Sequence, residues 1–339
     1  MLRLPEFSLE RPKTLKEAVA LLTEHGDKAM PIAGGTDLLP NMKHGLFEPK
    51  ILVSLAEIEE LRGLSETADG SLRIGAMTSI ADIAKQELTQ RYPTLAQAAG
   101  LIAGPQLREV GTLGGNILLD TRCQWYNQTY FWRKALGYCL KKDGTECHVV
   151  KGGKKCVAAA SNDTAPALMS LDAVLEFEGP EGSRELPINE LYVSDGIVNR
   201  DARPGELLVA VRIPAPAAGH HGAYGKLRTR GSIDFPLLGV AARIDIDESG
   251  VICAADLVVT ALQARPVRVR KAAGLLVGAT PESEDFSSII QAVADAAYKQ
   301  CHPLANIPGD AEYRREMVPV YVSRTLKAAL QKSGPVHHI

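Results

Sequence analysis

Four of the six cysteines lie close together in the chain, at Cys123, Cys139, Cys147 and Cys156. Successive members are separated by 15, 7 and 8 residues. Thiolates bind iron–sulfur clusters or structural zinc, and four thiolates satisfy either centre. Zinc sites favour cysteines paired about two to four residues apart, and this spacing contains no such pair. The pattern therefore fits a four-iron cluster at least as well as zinc, and unligated cysteines in a loop are the remaining alternative.

Two glycine-containing loops have the composition of phosphate-binding segments. They are AGGTDLLP, residues 33–40, and GTLGGNI, residues 111–117. Adjacent glycines expose backbone N–H groups that no side chain shields, and the neighbouring threonine and asparagine side chains supply further donors. Neither loop fits the G-x-G-x-x-G pattern or carries the lysine of a P-loop, which argues against a Rossmann or P-loop nucleotide site. A tight turn explains either loop alone, whereas the two together favour one long phosphate-containing ligand.

Regular elements must position both loops. Thr14 and Glu17 have capping-box spacing, which predicts a helix from Leu15 up to Gly26. A short strand over 29–32 then leads into the first glycine loop. Further strands are predicted over 50–55, 72–76, 172–177, 207–213, 239–246 and 251–262. Further helices are predicted over 78–84, 95–103, 266–276, 286–301 and 311–331. Residues 120–157 lack clean periodicity, and residues 214–222 have the composition of a linker.

The composition is that of an ordinary globular protein. The 339 residues suffice for two or three domains, and hydrophobic residues make up 45% of them. The net charge of −2 argues against a nucleic-acid-binding protein with a basic surface. No apolar run has the length of a membrane span, and the N-terminus lacks the apolar core of a secretory signal. We therefore expect a cytoplasmic protein that binds neither nucleic acid nor membrane, in which clustered cysteines favour a metal over disulfides.

Four motifs occur in a fixed order along the chain. They are PIAGGTDLLP (31–40), GAMTSIADI (75–83), VGTLGGNI (110–117) and SNDTAPAL (161–168). In order and spacing they resemble the FAD subunit of molybdenum hydroxylases, the family of the medium subunits of xanthine and carbon monoxide dehydrogenases. The likeness continues through ELLVAVRIP, YGKLRTR, QARPVRVRKAA and EYRREM, and it covers essentially the whole chain outside the cysteine segment.

This resemblance implies an α+β fold. An α/β FAD-binding domain of two subdomains would be followed by a C-terminal α+β domain. The expected domains are residues 1–55, residues 56–217 with the cysteine-rich insert at 120–157, and residues 222–335.

The resemblance also assigns FAD contacts to individual residues. The first loop would wrap the pyrophosphate through Ile32, Ala33, Gly34, Gly35, Thr36, Asp37 and Leu38. The phosphate and ribitol region would contact Thr112, Gly115 and Asn116, with Ile102 and Ala103 packed nearby. Asp163 would bond the sugar region, and the isoalloxazine would lie against Leu208, Lys226 and Tyr224. The alternatives are a helix cap for Asp163, a surface charge for Lys226 and a core position for Leu208.

The cysteine segment departs from the family pattern. In that pattern GGNI runs within a few residues into a segment like SNDTAPAL, whereas here residues 120–157 intervene. In a flavin subunit an added redox centre has a use that zinc lacks, which favours a [4Fe-4S] cluster on the four cysteines. Between Arg122 and Cys156 eight cations stand against only two acidic residues, so the insert either attracts an acidic carrier such as a ferredoxin or is simply a solvated loop. The aromatic residues of the insert are expected to pack around the cluster; they are Trp125, Tyr126, Tyr130, Phe131 and Trp132.

Within the family, the insert resembles that of the β subunit of 4-hydroxybenzoyl-CoA reductase. That resemblance implies an electron path from ferredoxin through [4Fe-4S] and FAD to a small subunit with two [2Fe-2S] clusters. The path would end at molybdenum on a molybdopterin-binding large subunit, in a dimer of heterotrimers. The large subunit would reduce 4-hydroxybenzoyl-CoA to benzoyl-CoA, so no catalytic residue is expected in this chain.

Three alternatives stay open. One is the FAD subunit of a conventional molybdenum hydroxylase, of the xanthine, carbon monoxide or aromatic heterocycle dehydrogenase type. The second is a self-contained flavin oxidase with a zinc loop. The third is a zinc-braced nucleotide-binding interaction protein.

Overall fold

Three β-sheets organise the computed structural model, which describes residues 2–331 and 334–338. The first sheet is parallel, in the order β1-β3-β2. Its strands are β1 (Ser8–Glu10), β2 (Ala29–Ile32) and β3 (Ile51–Ser54). Helix α1 (Leu15–His25) and a 3-10 turn (Gly26–Lys28) join β1 to β2, and α2 (Leu38–Lys43) lies between β2 and β3.

Helix α1 begins where the capping box predicts. The Thr14 hydroxyl oxygen accepts the Glu17 N–H at 3.2 Å, and the Glu17 carboxylate accepts the Thr14 N–H at 3.2 Å. Ala18, Val19 and Leu22 form the buried face of the helix. The helix therefore packs on the first sheet, and the strand that follows leads into the first glycine loop.

The second sheet is antiparallel, in the order β4-β5-β8-β6-β7. Its strands are β4 (Leu64–Glu66), β5 (Leu72–Gly75), β6 (Val174–Gly179), β7 (Gly182–Pro187) and β8 (Leu207–Ile213). A 3-10 turn (Glu59–Leu61) precedes β4. The helices of this part are α3 (Ile80–Lys85), α4 (Glu87–Gln90), α5 (Pro93–Gly100), α6 (Pro105–Val110), α7 (Leu113–Ile117), α8 (Tyr130–Ala135), α9 (Thr164–Ser170) and α10 (Ile188–Leu191). Helix α9 packs against α5 and α7, and α8 lies inside the cysteine insert.

The third sheet has the order β12-β11-β10-β9-β13. Its strands are β9 (His220–Leu227), β10 (Leu238–Ile246), β11 (Ile252–Thr260), β12 (Val267–Arg268) and β13 (Val336–His338). The helices of this part are α11 (Ala272–Leu276), α12 (Phe286–Gln300) and α13 (Ala311–Gln331). The core of the second sheet extends to Tyr224, Ala241 and Val258 of this part, and a separate core lies between the third sheet and its helices.

The predicted α+β class is confirmed, with two local corrections. The segment 214–222 is not all linker, because β9 begins at His220. The segment 266–276 is not one helix, because Val267 pairs with Val259 at the edge of the third sheet before α11 begins. The first two expected domains each contain one sheet, whereas the third sheet begins before residue 222 at His220 and includes β13 beyond residue 335. The boundaries between domains stay a prediction. No helix among the described residues is long and apolar enough to span a membrane.

Arg314 is fully buried in α13 and ties three segments together. Its guanidinium donates to the carbonyl oxygens of Leu237 at 3.0 Å, Leu304 at 2.9 Å and Ala261 at 2.6 Å. We expect Arg314→Met to lower the free energy of unfolding by about 2–3 kcal/mol, because buried carbonyl groups lose their donor. Urea denaturation measures the change. The control Arg324→Met, at an exposed position of the same helix, should stay within about 0.5 kcal/mol of wild type, and equal losses in both variants would contradict the assignment.

Candidate functional site

The first glycine loop lies against the segment that precedes the second loop. A Cβ atom on Gly34 would lie 1.9 Å from the carbonyl oxygen of Val110, so the two segments meet at a contact that only glycine permits. Gly35 has a φ of 68°, in the left-handed region that favours glycine. A Cβ atom on Gly111 would lie 3.7 Å from the Thr36 hydroxyl oxygen. The two predicted loops are therefore neighbours in space, as a single ligand requires.

The first loop has unused backbone donors. In the part of the chain that the structure describes, the N–H groups of residues 34–38 donate no hydrogen bond to the protein. Two of the carbonyl groups are in use, because Leu39 donates to Gly35 at 3.1 Å and Asn41 donates to Asp37 at 3.2 Å. Successive unpaired N–H groups beside a left-handed glycine form a nest that suits an anion. The loop therefore fits a pyrophosphate.

The second loop is held by its own side chains. The Thr112 hydroxyl oxygen accepts the Gly115 N–H at 3.1 Å and caps the short helix α7. The Asn116 side-chain oxygen accepts both the N–H of Thr164, at 3.1 Å, and its hydroxyl, at 2.6 Å. Both side-chain oxygens already accept hydrogen bonds from the protein. The donors of the same side chains, the Thr112 hydroxyl proton and the Asn116 NH2 group, are therefore the groups that the loop can offer to an anion.

Asp163, Tyr224 and Lys226 form one buried cluster. The Tyr224 hydroxyl donates to Asp163 Oδ1 at 2.8 Å, and Lys226 Nζ lies 3.1 Å from Asp163 Oδ2 and 3.0 Å from the carbonyl oxygen of Leu101. The exposed fraction is 3% for Asp163 and 0% for the other two. Burial raises the pKa of Asp163, and the Lys226 ammonium group opposes that rise.

This cluster overturns two of the alternatives and leaves the flavin assignment as a prediction. Asp163 occupies the N-cap position of α9, but its side chain makes no capping bond and bonds Tyr224 and Lys226 instead, so a side-chain helix cap is wrong. Lys226 is fully buried, so the surface-charge alternative is wrong as well. The three side chains satisfy one another and lie beneath the surface of the site.

The other predicted contact residues surround the same region. Leu208 is buried in β8 as a core residue, which agrees with its alternative interpretation. Ile102 and Ala103 are partly exposed, and Ala103 has a φ of 44°. The Ala103 carbonyl oxygen accepts the Ile233 N–H at 3.0 Å, which brings the segment after β9 to this edge of the site. The FAD contacts of these residues stay predictions.

All four cysteines of the insert line one cavity. Trp125, Tyr126 and His148 line it too. Three of the thiols are buried, and Cys147 is partly exposed. Burial raises the pKa of Cys123 to about 11, and the neighbouring cysteines add to the rise. The fold therefore gathers thiols from four separate positions of the insert around one space.

The thiols do not converge on a single point. Among residues 2–331 and 334–338, no group of three or more His, Cys, Asp or Glu side chains lies close enough together to hold a metal ion. The cavity has a volume of about 20 Å³, close to the space that one water molecule needs. The four predicted cysteine ligands have the number, type and location that a cluster needs. Their thiols are nevertheless not arranged to coordinate a metal. The [4Fe-4S] cluster is therefore not supported by this arrangement.

Two basic side chains that anchor the insert were not distinguished by sequence reasoning. The Lys141 side chain is 6% exposed, and its Nζ lies 2.8 Å from Asp120 Oδ1. The Arg133 side chain is 1% exposed and donates to the carbonyl oxygen of Gly45 at 2.8 Å. In the sequence they are two of eight similar cations. No local pattern separates them from the exposed lysines, because their partners lie far away in the chain.

The aromatic residues of the insert divide into two groups. Trp125 and Tyr126 line the cysteine cavity, as predicted. The other three lie on α8. Tyr130 and Phe131 are 41% and 76% exposed and do not line the cavity, so the prediction is wrong for these two. Trp132 is 39% exposed and lies beside the cavity residue Trp125, with ring centroids 6.0 Å apart. Arg133 occupies the buried side of this short helix, which leaves the aromatic rings on the outer side.

The fold and the paired loops are those of a protein that binds a pyrophosphate-containing ligand, and comparison with known proteins identifies the family. Residues 5–216 match the FAD binding domain in molybdopterin dehydrogenase, and residues 222–329 match the CO dehydrogenase flavoprotein C-terminal domain. The chain belongs to the family of FAD-binding subunits of molybdenum hydroxylases. It is an FAD-binding oxidoreductase subunit, which confirms the predicted family.

Individual relatives agree along nearly the whole chain. The carbon monoxide dehydrogenase medium chain of Afipia carboxidovorans is 33% identical over 329 residues, which cover 95% of this chain and 96% of that protein. The FAD-binding subunit of the Escherichia coli (strain K12) aldehyde oxidoreductase is 35% identical and covers 88% of this chain and 92% of its own length. A crystal structure of a cyanide-inactivated Cu,Mo-CO dehydrogenase matches with a TM-score of 0.79 at 30% identity, covering 98% of this chain and 100% of that chain. These relatives fit a conventional molybdenum hydroxylase better than 4-hydroxybenzoyl-CoA reductase.

Proposed function

We propose that this chain is the FAD subunit of a multisubunit molybdenum hydroxylase in the cytoplasm. Its partners would be a molybdopterin-binding large subunit and a small subunit with two [2Fe-2S] clusters, arranged as a dimer of heterotrimers. The carbon monoxide and aldehyde relatives support an oxidative dehydrogenase as the first candidate. FAD, when bound, would supply the chemistry that exchanges electrons between these centres and an external carrier. The chain itself would hold the pyrophosphate through the free N–H groups of residues 34–38, and none of its side chains is proposed as an acid, a base or a nucleophile.

We propose that the cysteine cavity takes up a [4Fe-4S] cluster, for which its four thiols would have to move together, because they lack coordination geometry as they stand. Four thiols share the cavity, and buried Leu46 packs in the same hydrophobic cluster as three of them. Leu46 follows α2, the helix that begins directly after the first glycine loop. Helix α2 has six residues and is therefore only about 9 Å long. A redox centre in the cavity would therefore lie near the loop proposed to hold the FAD pyrophosphate.

The second candidate is the FAD subunit of 4-hydroxybenzoyl-CoA reductase, and the same cavity favours it. A cluster beside the flavin is a place where a one-electron carrier such as a ferredoxin could deliver electrons. The surface of the insert suits an acidic carrier, because Lys134, Lys151, Lys154 and Lys155 are exposed. Electron flow would then run inward and drive a reduction on the large subunit.

Metal analysis of the anaerobically purified protein tests the cluster. We expect about four irons per chain and an EPR signal after dithionite reduction. Cys139→Ser should remove most of the iron, because it deletes one of the four proposed ligands. The control Cys253→Ser changes an exposed cysteine outside the insert and should keep the iron. Stoichiometric zinc, or no metal in either protein, would refute the cluster and leave an ordinary flavin subunit.

The direction of electron flow needs the co-purified complex. Reduced ferredoxin and 4-hydroxybenzoyl-CoA should yield benzoyl-CoA if the second candidate is correct. Reduction of the flavin by an aldehyde or by carbon monoxide, with no benzoyl-CoA formed, would identify the conventional hydroxylase. A yellow protein that purifies without partner subunits or molybdenum would contradict both candidates.

A further inference from the structure

Arg122 contacts two segments that are far from it in the chain. Its Nη1 lies 3.1 Å from Asp37 Oδ1 in the first glycine loop. Its guanidinium carbon lies 3.9 Å from the centre of the Phe235 ring. Its backbone exchanges hydrogen bonds of 2.8 and 2.7 Å with Ala159, and the next residue, Cys123, lines the cysteine cavity. One side chain thus joins the insert, the pyrophosphate loop and the segment after β9.

The segment with Phe235 is attached to the same region by other bonds. The Ile233 N–H donates to the Ala103 carbonyl oxygen at 3.0 Å, and the Asp234 carboxylate accepts from Arg228 at 3.1 Å. The Phe235 ring itself is 42% exposed, so the core does not enclose it. The guanidinium covers one face of this ring, an arrangement favourable for a cation and an aromatic ring.

The pairing with Asp37 has an electrostatic consequence for an anionic ligand. Asp37 places a carboxylate in the loop whose free N–H groups fit a pyrophosphate, and like charges repel at this range. The side chains of Asp37 and Arg122 are 33% and 21% exposed, so the solvent screens their charges only in part. Asn41 donates a second hydrogen bond to the carboxylate, at 2.8 Å, but brings no charge. Arg122 is therefore the cation that pairs directly with Asp37, with a repulsion from Asp120 and a weaker attraction from Lys141 acting on the same carboxylate.

We propose that Arg122 is a positioning residue of the FAD site. It neutralises Asp37 in the pyrophosphate loop and, by stacking on Phe235, holds the insert against the segment after β9. The proposal depends on FAD binding, which the family membership establishes, and is independent of any metal in the cysteine cavity.

The rate of FAD release from the purified chain, followed by the rise in flavin fluorescence, tests the proposal. Arg122→Ala should release FAD about tenfold faster or more, because the loop keeps an uncompensated carboxylate. Arg122→Lys should have an intermediate rate, since lysine keeps the charge and loses the planar stacking surface. Arg73→Ala is the matched control: it removes a partly exposed arginine from an ion pair with Glu176, on the second sheet, and should leave the rate within about twofold.

A second substitution separates charge compensation from general loosening of the fold. Asp37→Asn in the Arg122→Ala background should slow FAD release again, because the repelling charge is gone. A merely structural role for Arg122 predicts that the second substitution leaves the rate the same or makes it faster. Either of those results, or an Arg122→Ala rate equal to that of the control, overturns the proposal. If Arg122→Ala fails to fold, the uncharged but longer Arg122→Gln is compared with its own Asp37→Asn double variant, and the same outcomes decide. Measuring iron in every sample distinguishes failure of this proposal from failure of the proposed cluster.

Discussion

Replacing Gly34 with alanine should reduce the affinity for FAD by about a hundredfold or more while the rest of the chain still folds. The added Cβ atom would lie 1.9 Å from the carbonyl oxygen of Val110 and 2.6 Å from its carbonyl carbon. Both are backbone atoms of the segment that leads into the second loop, so no side-chain rotation relieves the overlap. The two loops must therefore separate, and the donors that face one pyrophosphate would no longer converge on it.

Flavin content after purification and titration of the flavin-free chain with FAD measure the effect. Gly100→Ala is the matched control, because a Cβ atom at that helical position would have no neighbour within 4 Å and Gly100 has no left-handed φ. That variant should bind FAD like wild type and be slightly more stable, by up to about 1 kcal/mol. FAD affinity within about threefold of wild type in Gly34→Ala would show that the loops do not share one ligand.

The sequence predicts those features of the fold that depend on neighbouring residues. Helix α1 starts at its capping box, and strand β2 and helix α13 have the bounds that periodicity indicates. The glycine loops were also predictable, because backbone conformation and the absence of side chains are local properties. The prediction that the two loops bind one ligand also implies that they lie close together. The contact between Gly34 and Val110 shows how close the segments come.

The sequence does not predict which charged residues are buried. Lys226 and Lys154 look alike in the chain, yet Lys226 is fully buried beside Asp163 and Lys154 is exposed. Lys226 pairs with Asp163, which is 63 residues away, and Arg122 pairs with Asp37, which is 85 residues away. Only the packing of the sheets decides these pairs. The same holds for the insert, where the order of cysteines is visible in the sequence and their shared cavity is a property of the folded chain.

Lys226→Met should lower the free energy of unfolding at neutral pH by about 3–5 kcal/mol. The variant leaves the Asp163 carboxylate, which is 3% exposed, without the ammonium group 3.1 Å away. A buried charge that has lost its partner is destabilising, because the folded protein cannot solvate it. The control is Lys85→Met, whose ion pair with Glu109 spans 3.6 Å and has both side chains more than 60% exposed. That surface pair should contribute less than about 1 kcal/mol.

The destabilisation of Lys226→Met should shrink as the pH falls. Burial already raises the pKa of Asp163 above its ordinary value of 3.8, and removing Lys226 raises the folded-state pKa further. A carboxyl group whose pKa is higher in the folded state takes up a proton there first. The favourable contribution of Asp163 to the free energy of unfolding is therefore complete at a pH below its ordinary pKa. That contribution is lost as the pH rises through the raised folded-state pKa. Urea denaturation of the variant and of wild type at about pH 7.5 and about pH 5 should show the smaller difference at the lower pH.

Adding Asp163→Asn to Lys226→Met removes the charge that causes this behaviour. The double variant should recover part of the lost stability, and the difference from wild type should no longer shrink as the pH falls, because no carboxyl group remains to take up the proton. A single variant with the same loss at both pH values would show that Asp163 does not carry the buried charge. An added loss in the double variant would show that the lysine stem matters through packing and not through its ammonium group.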